Sequence, residues 1–440
     1  MIIKNNNLLL VAFASVFFSR VIHALGFPAI INFVHLILVP VTCWQVLSTN
    51  QPKKYVYSST MIPILIGLYF FLLMMTISAL INQVGFINII LEFILLAEPF
   101  MFILAIVSFP IASESIKNYR TWTYRFGIAM IIFAYMQRFI FHLEKIGNEY
   151  DNIKGVFIAE GAGHYVGAAV SLTFGIYYFT SIAGDRSKWA RITMLILAVG
   201  EVIIAGRRQT FLAFIIALII LAIFDKKNIK KLLVYFSIII GACILLFVAA
   251  FTVFPSLRTW FRSDIIQPFI DLKFSPFQVV PTHYKSYLNI LFGVGPGHSV
   301  DRLGGWMLRD DGYWDLLSPL GATRSTISNE VWDITSHNWL GDASTFFSPF
   351  FSWAGIWGDL GFVGLGVYIF LGFLVWKLVC LDRVAKFFLL TVFVFGWIFT
   401  WLEEPAYMNL MGILLGLRWH EIEEKKYVKS LGDRSSKSLT

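Results

Sequence analysis

The sequence predicts an all-α, polytopic integral membrane protein of about twelve spanning helices with one large extracytoplasmic loop. Three observations predict it. The 440 residues are 58% hydrophobic and only 14% charged, where a soluble domain carries about 25% charged residues. Apolar runs of about 18–22 residues recur along the whole chain, the length a helix needs to cross hydrocarbon. Lysine and arginine concentrate in alternate gaps between these runs, as the positive-inside bias requires.

In order, the spans fall at 8–25, 28–47, 60–81, 86–108, 123–142, 164–183, 190–205, 209–224, 232–254, 361–380, 387–402 and 405–418. The first run lacks a small-residue cleavage site and flows into the second, so it reads as a retained helix and not as a cleavable signal. With the N-terminus in the cytoplasm, the even-numbered gaps are cytoplasmic. They hold Lys53 and Lys54, then Lys117 and Arg120, then Arg186, Lys188 and Arg191. KKNIKK at 226–231 and DRVAK at 382–386 follow, and the basic tail RWHEIEEKKYVKS lies on the same side, so both termini are inside. The chain divides into an N-terminal bundle of about nine helices at 1–254, a large periplasmic loop at 255–345, a re-entrant segment with the last helices at 346–418, and a cytoplasmic tail at 419–440. The net charge of +8 is this loop bias, dispersed over many loops, and not the clustered basic patch that nucleic acid needs. Cys43, Cys243 and Cys380 all lie in apolar runs without metal-ligand spacing. No internal repeat or low-complexity segment is visible.

One short external turn breaks the charge bias. In EVIIAGRRQTFLAF at 201–214, Arg207 and Arg208 stand between two spans, and Glu201 lies about two turns deeper on the same helix. Snorkelling to lipid headgroups would accommodate the arginines; an anion site is the functional alternative. An intramembrane carboxylate near an arginine is either a functional pair or a buried structural one. Glu92 and Glu98 also lie within spans. With Glu201 they form a proton or substrate path, or they neutralise Arg20, Arg138 or the Arg207–Arg208 pair. His23 and His35, near the outer ends of the first hairpin, read as packing residues.

Between Phe254 and Phe346 the chain leaves the membrane. This loop mixes Arg258, Arg262, Lys273, Lys285, Arg302, Arg309 and Arg324 with Trp260, Tyr284, Tyr287, Trp306, Tyr313, Trp314, Trp332 and Trp339. Aromatic faces suit the apolar faces of sugar rings, and arginine suits phosphate. A cap resting on the membrane surface would be enriched in the same aromatics. Two stretches stand out. NILFGVGPGHS at 289–299 holds Gly295 and Gly297 in a tight turn with accessible backbone, near His283 and His298. TSHNWLGD at 335–342 holds His337 and Asn338; a loop histidine is a base, a phosphate donor or a plain surface residue. RDDGYWD at 309–315 reads as a solvated turn and not an ion site. The first two outer loops, LGFP at 25–28 and INQVGF at 81–86, hold no acid.

The order of these features is more specific than any one of them. A small–basic turn (AGRRQTFLAFIIALIILAI), a basic inner loop, one more span and a large outer loop follow one another. The loop holds GVGPG, then a His-Asn pair, and GDLGFVGLGVYIFL then opens the next helix. Over residues 190–380 this order resembles the O-antigen polymerase and O-antigen ligase superfamily of bacterial membrane glycosyltransferases, the Wzy type. The resemblance implies a GT-C-like fold in the bacterial inner membrane and a part in lipopolysaccharide or capsule synthesis. It also implies a donor and an acceptor that are polyprenyl-pyrophosphate-linked oligosaccharides, carried on undecaprenyl pyrophosphate. Membrane lipid, a chain-length regulator and a flippase are the partners it brings with it, and it brings no cofactor and no metal. Arg208, with Arg207 beside it, matches the family's arginine after a small residue at an outer helix end. Arg258 and Arg262 are the candidates for its loop arginine, and His337 matches its histidine. These arginines would hold the donor pyrophosphate and His337 would serve the acceptor hydroxyl, with Glu201, Asn338, His283, Gly295 and Gly297 in support.

The chemistry is consistent with that expectation. A lipid pyrophosphate leaves readily once its developing charge is neutralised, and arginine does this permanently and through two parallel hydrogen bonds, without a divalent cation. A sugar hydroxyl needs a positioned base with a pKa near working pH, which histidine supplies. The expected activity is polymerisation of repeat units at the periplasmic face. A ligase that moves finished glycan to lipid A–core would use the same residues. A transporter of lipid-linked sugars would instead show repeated hydropathy halves and broken helices at the midplane.

Overall fold

A computed structural model describes residues 5–50, 56–146, 152–158, 162–182, 186–224, 241 and 263–437. The expected span at 232–254, the basic runs at 53–54 and 226–231, and Arg258 and Arg262 lie outside the described residues. Among those described, the structure is helical with no strand. The long helices are α1 Asn5–Phe17, α2 His35–Thr49, α3 Tyr57–Asn82, α4 Phe86–Val107, α5 Glu114–Phe139, α6 Gly163–Thr180, α7 Lys188–Ile204, α8 Arg208–Phe224, α9 Ser352–Leu378, α10 Arg383–Phe395 and α11 Pro405–Lys437. Four stretches are long and apolar enough to cross a membrane: Ile30–Thr49, Tyr57–Asn82, Phe86–Val107 and Ser352–Leu378. Two more helices, α1 and α8, are apolar but shorter. The set is compatible with a membrane protein.

Helix α4 is the centre of the bundle. It is largely apolar, and its buried residues run almost without interruption from Leu95 to Val107, the pattern of a helix surrounded by others. It packs against α2, α3 and α11. Gly412 and Gly416 of α11 stand one turn apart and face α4: a Cβ on Gly412 would come 2.4 Å from the Pro99 carbonyl oxygen, and one on Gly416 would meet Ile106 at 3.0 Å. Small residues at this spacing let two backbones approach, which is how helices associate where lipid offers no hydrophobic drive. Helix α11 then runs on past residue 418, where the sequence predicts its end. Its continuation holds Arg418, which donates to Asp382 Oδ2 at 2.7 Å and Glu421 Oε2 at 2.8 Å. Tyr177 and Ser181 donate to the other oxygen of Glu421, so the end of the bundle away from the loop is fastened by a buried ionic network.

Two expected spans are interrupted. The first divides at Phe18 into α1 and a short helix Ser19–Ala24. The tenth begins nine residues earlier than expected, at Ser352, and breaks at Gly361, whose φ of 63° and ψ of −166° are not helical. The second half of the re-entrant segment is therefore the first part of α9. The loop between α8 and α9 folds into short helices, among them Ile266–Lys273, Pro276–Thr282, Leu288–Phe292, Asp311–Leu317 and Ile327–Ser336.

Candidate active site

A cavity of about 930 Å³ opens where this loop meets the bundle. Its wall takes residues from far apart in the chain: Arg20, His35, His164 and Tyr165, Gln209, then Arg302, Trp306, Arg309 and Trp332 of the loop, and Trp401 and Glu404 of the turn before α11. The turn at 401–404 is tight because Pro405 starts the next helix; Pro lacks the N–H that a first-turn residue would leave unpaired anyway.

Cationic groups outnumber anionic ones on this wall. Arg20 Nη2 donates to Glu404 Oε1 at 3.1 Å, and Arg302 Nη1 donates to the other oxygen of the same carboxylate. Burial alone would raise the Glu404 carboxyl, but Arg302 and Arg20 override it and hold it below the usual carboxylate range. A third guanidinium, that of Arg309, lies 3.9 Å from the Trp332 ring centroid, 5.4 Å from that of Trp306 and 5.6 Å from that of Phe350. Burial lowers its pKa, with Asp310 opposing. Aromatic walls strip water from a guanidinium while leaving its N–H edge available to an anion. Arg20 Nη1, Arg309 Nη1, Trp306 Nε1 and Trp401 Nε1 are buried donors that find no acceptor among the described residues. Buried donors are normally satisfied; these four belong to residues of the cavity wall.

The sequence-expected residues distribute unevenly around this cavity. His337 caps the Ile327–Ser336 helix, one position beyond Ser336, which lines the wall. It is exposed, and its Nδ1 donates to the Asp333 carbonyl at 2.7 Å, which leaves Nε2 as the acceptor of a neutral ring. Asn338 caps the following short helix by accepting from Leu340 N at 3.0 Å and plays a local structural part. Arg207 and Arg208 do not line the cavity, although Gln209 does and donates to Thr345 Oγ1 at 3.1 Å. The Arg207 guanidinium lies 4.4 Å from the ring centroid of Tyr165, a wall residue. Gly206, with φ of 67°, ends α7 in the left-handed conformation, and Arg207 N donates back to Val202 O; this turn is what stands the two arginines at the helix end. Glu201 is fully buried in α7 and off the cavity wall.

The structure also places the other expected residues. His35 is not a mere packing residue: it lines the cavity, and its Nδ1 lies 2.7 Å from Glu98 Oε1, whose other oxygen accepts from Asn409 Nδ2 at 2.6 Å. Glu98 is thus hydrogen-bonded by His35 and Asn409, while Arg20 pairs with Glu404 and Arg138 with Glu144. His283 lies 3.0 Å from Glu330, and His298 Nε2 lies 2.9 Å from Thr323 Oγ1; neither lines the cavity. Asp310 caps the Asp311–Leu317 helix by accepting from Gly312 and Tyr313 amides, as a solvated turn does.

The glycine turn is a structural plug. Val294 N and Gly295 N donate to the Gly358 and Asp359 carbonyls at 2.8 and 3.0 Å, and Ser78 Oγ adds a bond to the latter at 2.8 Å. These groups take up carbonyls at the α9 break, a need that arises wherever a helix is interrupted away from water. Gly361 leaves no room for a side chain, since a Cβ there would lie 2.3 Å from the Leu291 carbonyl carbon. Gly297 N, His298 N and Ser299 N then converge on the Asp359 carboxylate at 2.8, 3.1 and 2.7 Å. Gly295 and Gly297 therefore hold the loop on the bundle and do not touch the cavity. Sequence reasoning missed Arg20, Arg302, Arg309 and Glu404 as a group; the arginine–aromatic mixture of the loop was the one signal of the last part of that wall. A comparison with known protein families and one with curated proteins each find no match to this chain.

Proposed function

We propose that the chain is a polytopic membrane glycosyltransferase of about twelve spans that polymerises polyprenyl-pyrophosphate-linked repeat units at the outer face of a bacterial inner membrane. The observation that carries this reading is the cavity wall: three arginines, two of them sharing one carboxylate and the third caged by aromatics, with buried N–H groups that find no acceptor among the described residues. A pyrophosphate supplies such acceptors, and the tryptophan faces suit sugar rings. In the reaction, the bond between the donor's anomeric carbon and the phosphate oxygen breaks, and the polyprenyl pyrophosphate leaves with the electron pair. The acceptor hydroxyl oxygen bonds to that carbon and gives up its proton. His337 is the base, through Nε2; Arg309, Arg302 and Arg20 stabilise the departing pyrophosphate, with Arg207 and Arg208 at the neighbouring turn.

Deletion of the gene and electrophoresis of the surface polysaccharide tests the reading. Surface glycan reduced to a single repeat supports a polymerase. Long lipid-linked chains that accumulate unattached indicate the ligase instead, and an unchanged ladder overturns both.

A further inference from the structure

Behind the glycine turn lies a second polar centre that the proposed reaction does not use. Glu92 of α4, Asp301 of the loop and Asp359 at the α9 break bring one carboxylate oxygen each to within 4.8 Å of one another, and all three are buried. None of them lines the cavity. Asp359 accepts the three amides described above, and Asp301 accepts from Leu303 N at 3.2 Å and Gly304 N at 2.6 Å. Glu92 differs. It is 1% exposed, yet neither of its oxygens has a donor among the described residues. The group within hydrogen-bonding reach of it is the Asp301 carboxylate. A fourth carboxylate, Glu403, accepts from Arg302 N and has its other oxygen unpartnered.

Ionised carboxylates are acceptors only. Three that face one another out of water need positive charge between them, because isolated buried charge costs several kcal/mol per ion. Two cationic side chains of the loop are engaged elsewhere: Arg302 turns its guanidinium to Glu404, and Lys273 gives its Nζ to the Ser348 and Ile398 carbonyls at 2.7 and 3.0 Å. We infer that Glu92, Asp301 and Asp359 form a site for one hard divalent cation of the calcium class, which ties the loop to α4 and α9. Carboxylate-only ligation selects hard cations over zinc or copper. Oxygens held at about 2.3–2.6 Å from a calcium ion span at most about 5 Å, which accommodates the observed spacing. The ion is a staple and touches neither donor nor acceptor. None of the three carboxylates lines the arginine-lined cavity, so the inference stands or falls separately from the proposed reaction.

The test uses the purified full chain in detergent, stripped with EDTA. Equilibrium dialysis against calcium should give a single ion per chain, and calcium should raise the unfolding temperature by several degrees because it binds only the folded state. Glu92→Gln should abolish both effects. Asp359→Asn provides a second variant should Glu92→Gln fail to fold, and the wild-type calcium-against-EDTA comparison requires no variant. If wild type binds no calcium or magnesium and unfolds at the same temperature in calcium and in EDTA, the carboxylates share a proton instead and the inference is overturned. Binding that survives in Glu92→Gln likewise overturns the assignment to these residues.

Discussion

Two neighbouring centres carry opposite deficits. The cavity wall has donors in excess: Arg20 and Arg302 share Glu404, Arg309 lies among aromatic rings, and four buried N–H groups find no acceptor among the described residues. The cluster behind the glycine turn has acceptors in excess: Glu92, Asp301 and Asp359, with Glu92 finding no donor among the described residues. Adjacent residues divide the two. Asp301 faces the cluster, and Arg302 faces the cavity and closes on Glu404. A folded chain seldom leaves buried polar groups unmet, so the two proposals give each centre a ligand of the opposite sign. The cavity is roomy and open to aromatic walls, which suits a large organic anion. The cluster is closed by backbone amides, which suits a small cation. The difference teaches that charge alone does not identify a catalytic site; the space around the charge does.

The largest expected effect tests the base. His337→Ala should lower the turnover of lipid-linked units by about 10²–10⁴-fold, the usual contribution of general-base assistance, while donor affinity stays near wild type. The measurement is turnover and donor binding in the same membranes. Wild-type turnover would exclude His337 and shift attention to His164 or His35, the histidines that line the cavity.

Next comes the cage. Arg309→Ala should weaken donor binding and cut the rate by about one to two decades, as loss of a charge-assisted contact worth about 1.5–3 kcal/mol predicts. Arg309→Lys should not rescue it, because an ammonium cannot stack between Trp306 and Trp332 and still present two parallel N–H groups. Full activity with lysine would mean that the cavity needs only a charge. Arg208→Ala, at the turn beside the cavity, is expected to cost about tenfold, the lower end of the same range. A greater loss than that of Arg309→Ala would move the pyrophosphate from the cage to the Gly206–Gln209 turn, and would favour the arginine that the family resemblance assigns.

The bundle was legible in sequence because apolar runs are local: each expected span among the described residues contains helix, while the breaks at Phe18 and Gly361, the early start of α5 at Glu114, the end of α10 at Phe395 and the length of α11 were missed. The helix break was hard to foresee because glycines are frequent in membrane helices, and only its contact with Leu291 shows which one interrupts the helix. The two centres were much less legible. Arg20 and Glu404 are 384 positions apart, and Trp306 meets Trp332 only because the Ile327–Ser336 helix folds back. Glu92 was visible as a carboxylate in a span, but no spacing rule links it to Asp301 and Asp359. The RRQ turn drew notice because two arginines interrupt apolar sequence, yet it is Gln209, the unremarked neighbour, that reaches the cavity wall.

The smallest effect expected sharpens the contrast between the proposed base, one residue beyond the cavity-lining Ser336, and a histidine of the glycine-turn region. His283 pairs with Glu330 at 3.0 Å, with side-chain exposures of 30% and 45%. The hydrogen bond from His283 holds the Glu330 carboxyl below its usual range. A carboxyl with a depressed folded-state pKa contributes stability above its unfolded value, and that contribution is lost as pH falls through the lower folded value. Solvent screens a pair this exposed, so its worth is about 0–1 kcal/mol. His283→Ala should therefore leave turnover within about twofold, by conversion of a few tenths of a kcal/mol. It should lower the unfolding temperature slightly at neutral pH, with the difference from wild type vanishing once Glu330 is protonated in both. Turnover assays and unfolding curves at neutral and acid pH measure this. A collapse in turnover at unchanged stability would bring the loop beside the glycine turn into the reaction, and would dissolve the separation between the anion-seeking cavity and the plug that holds the loop in place.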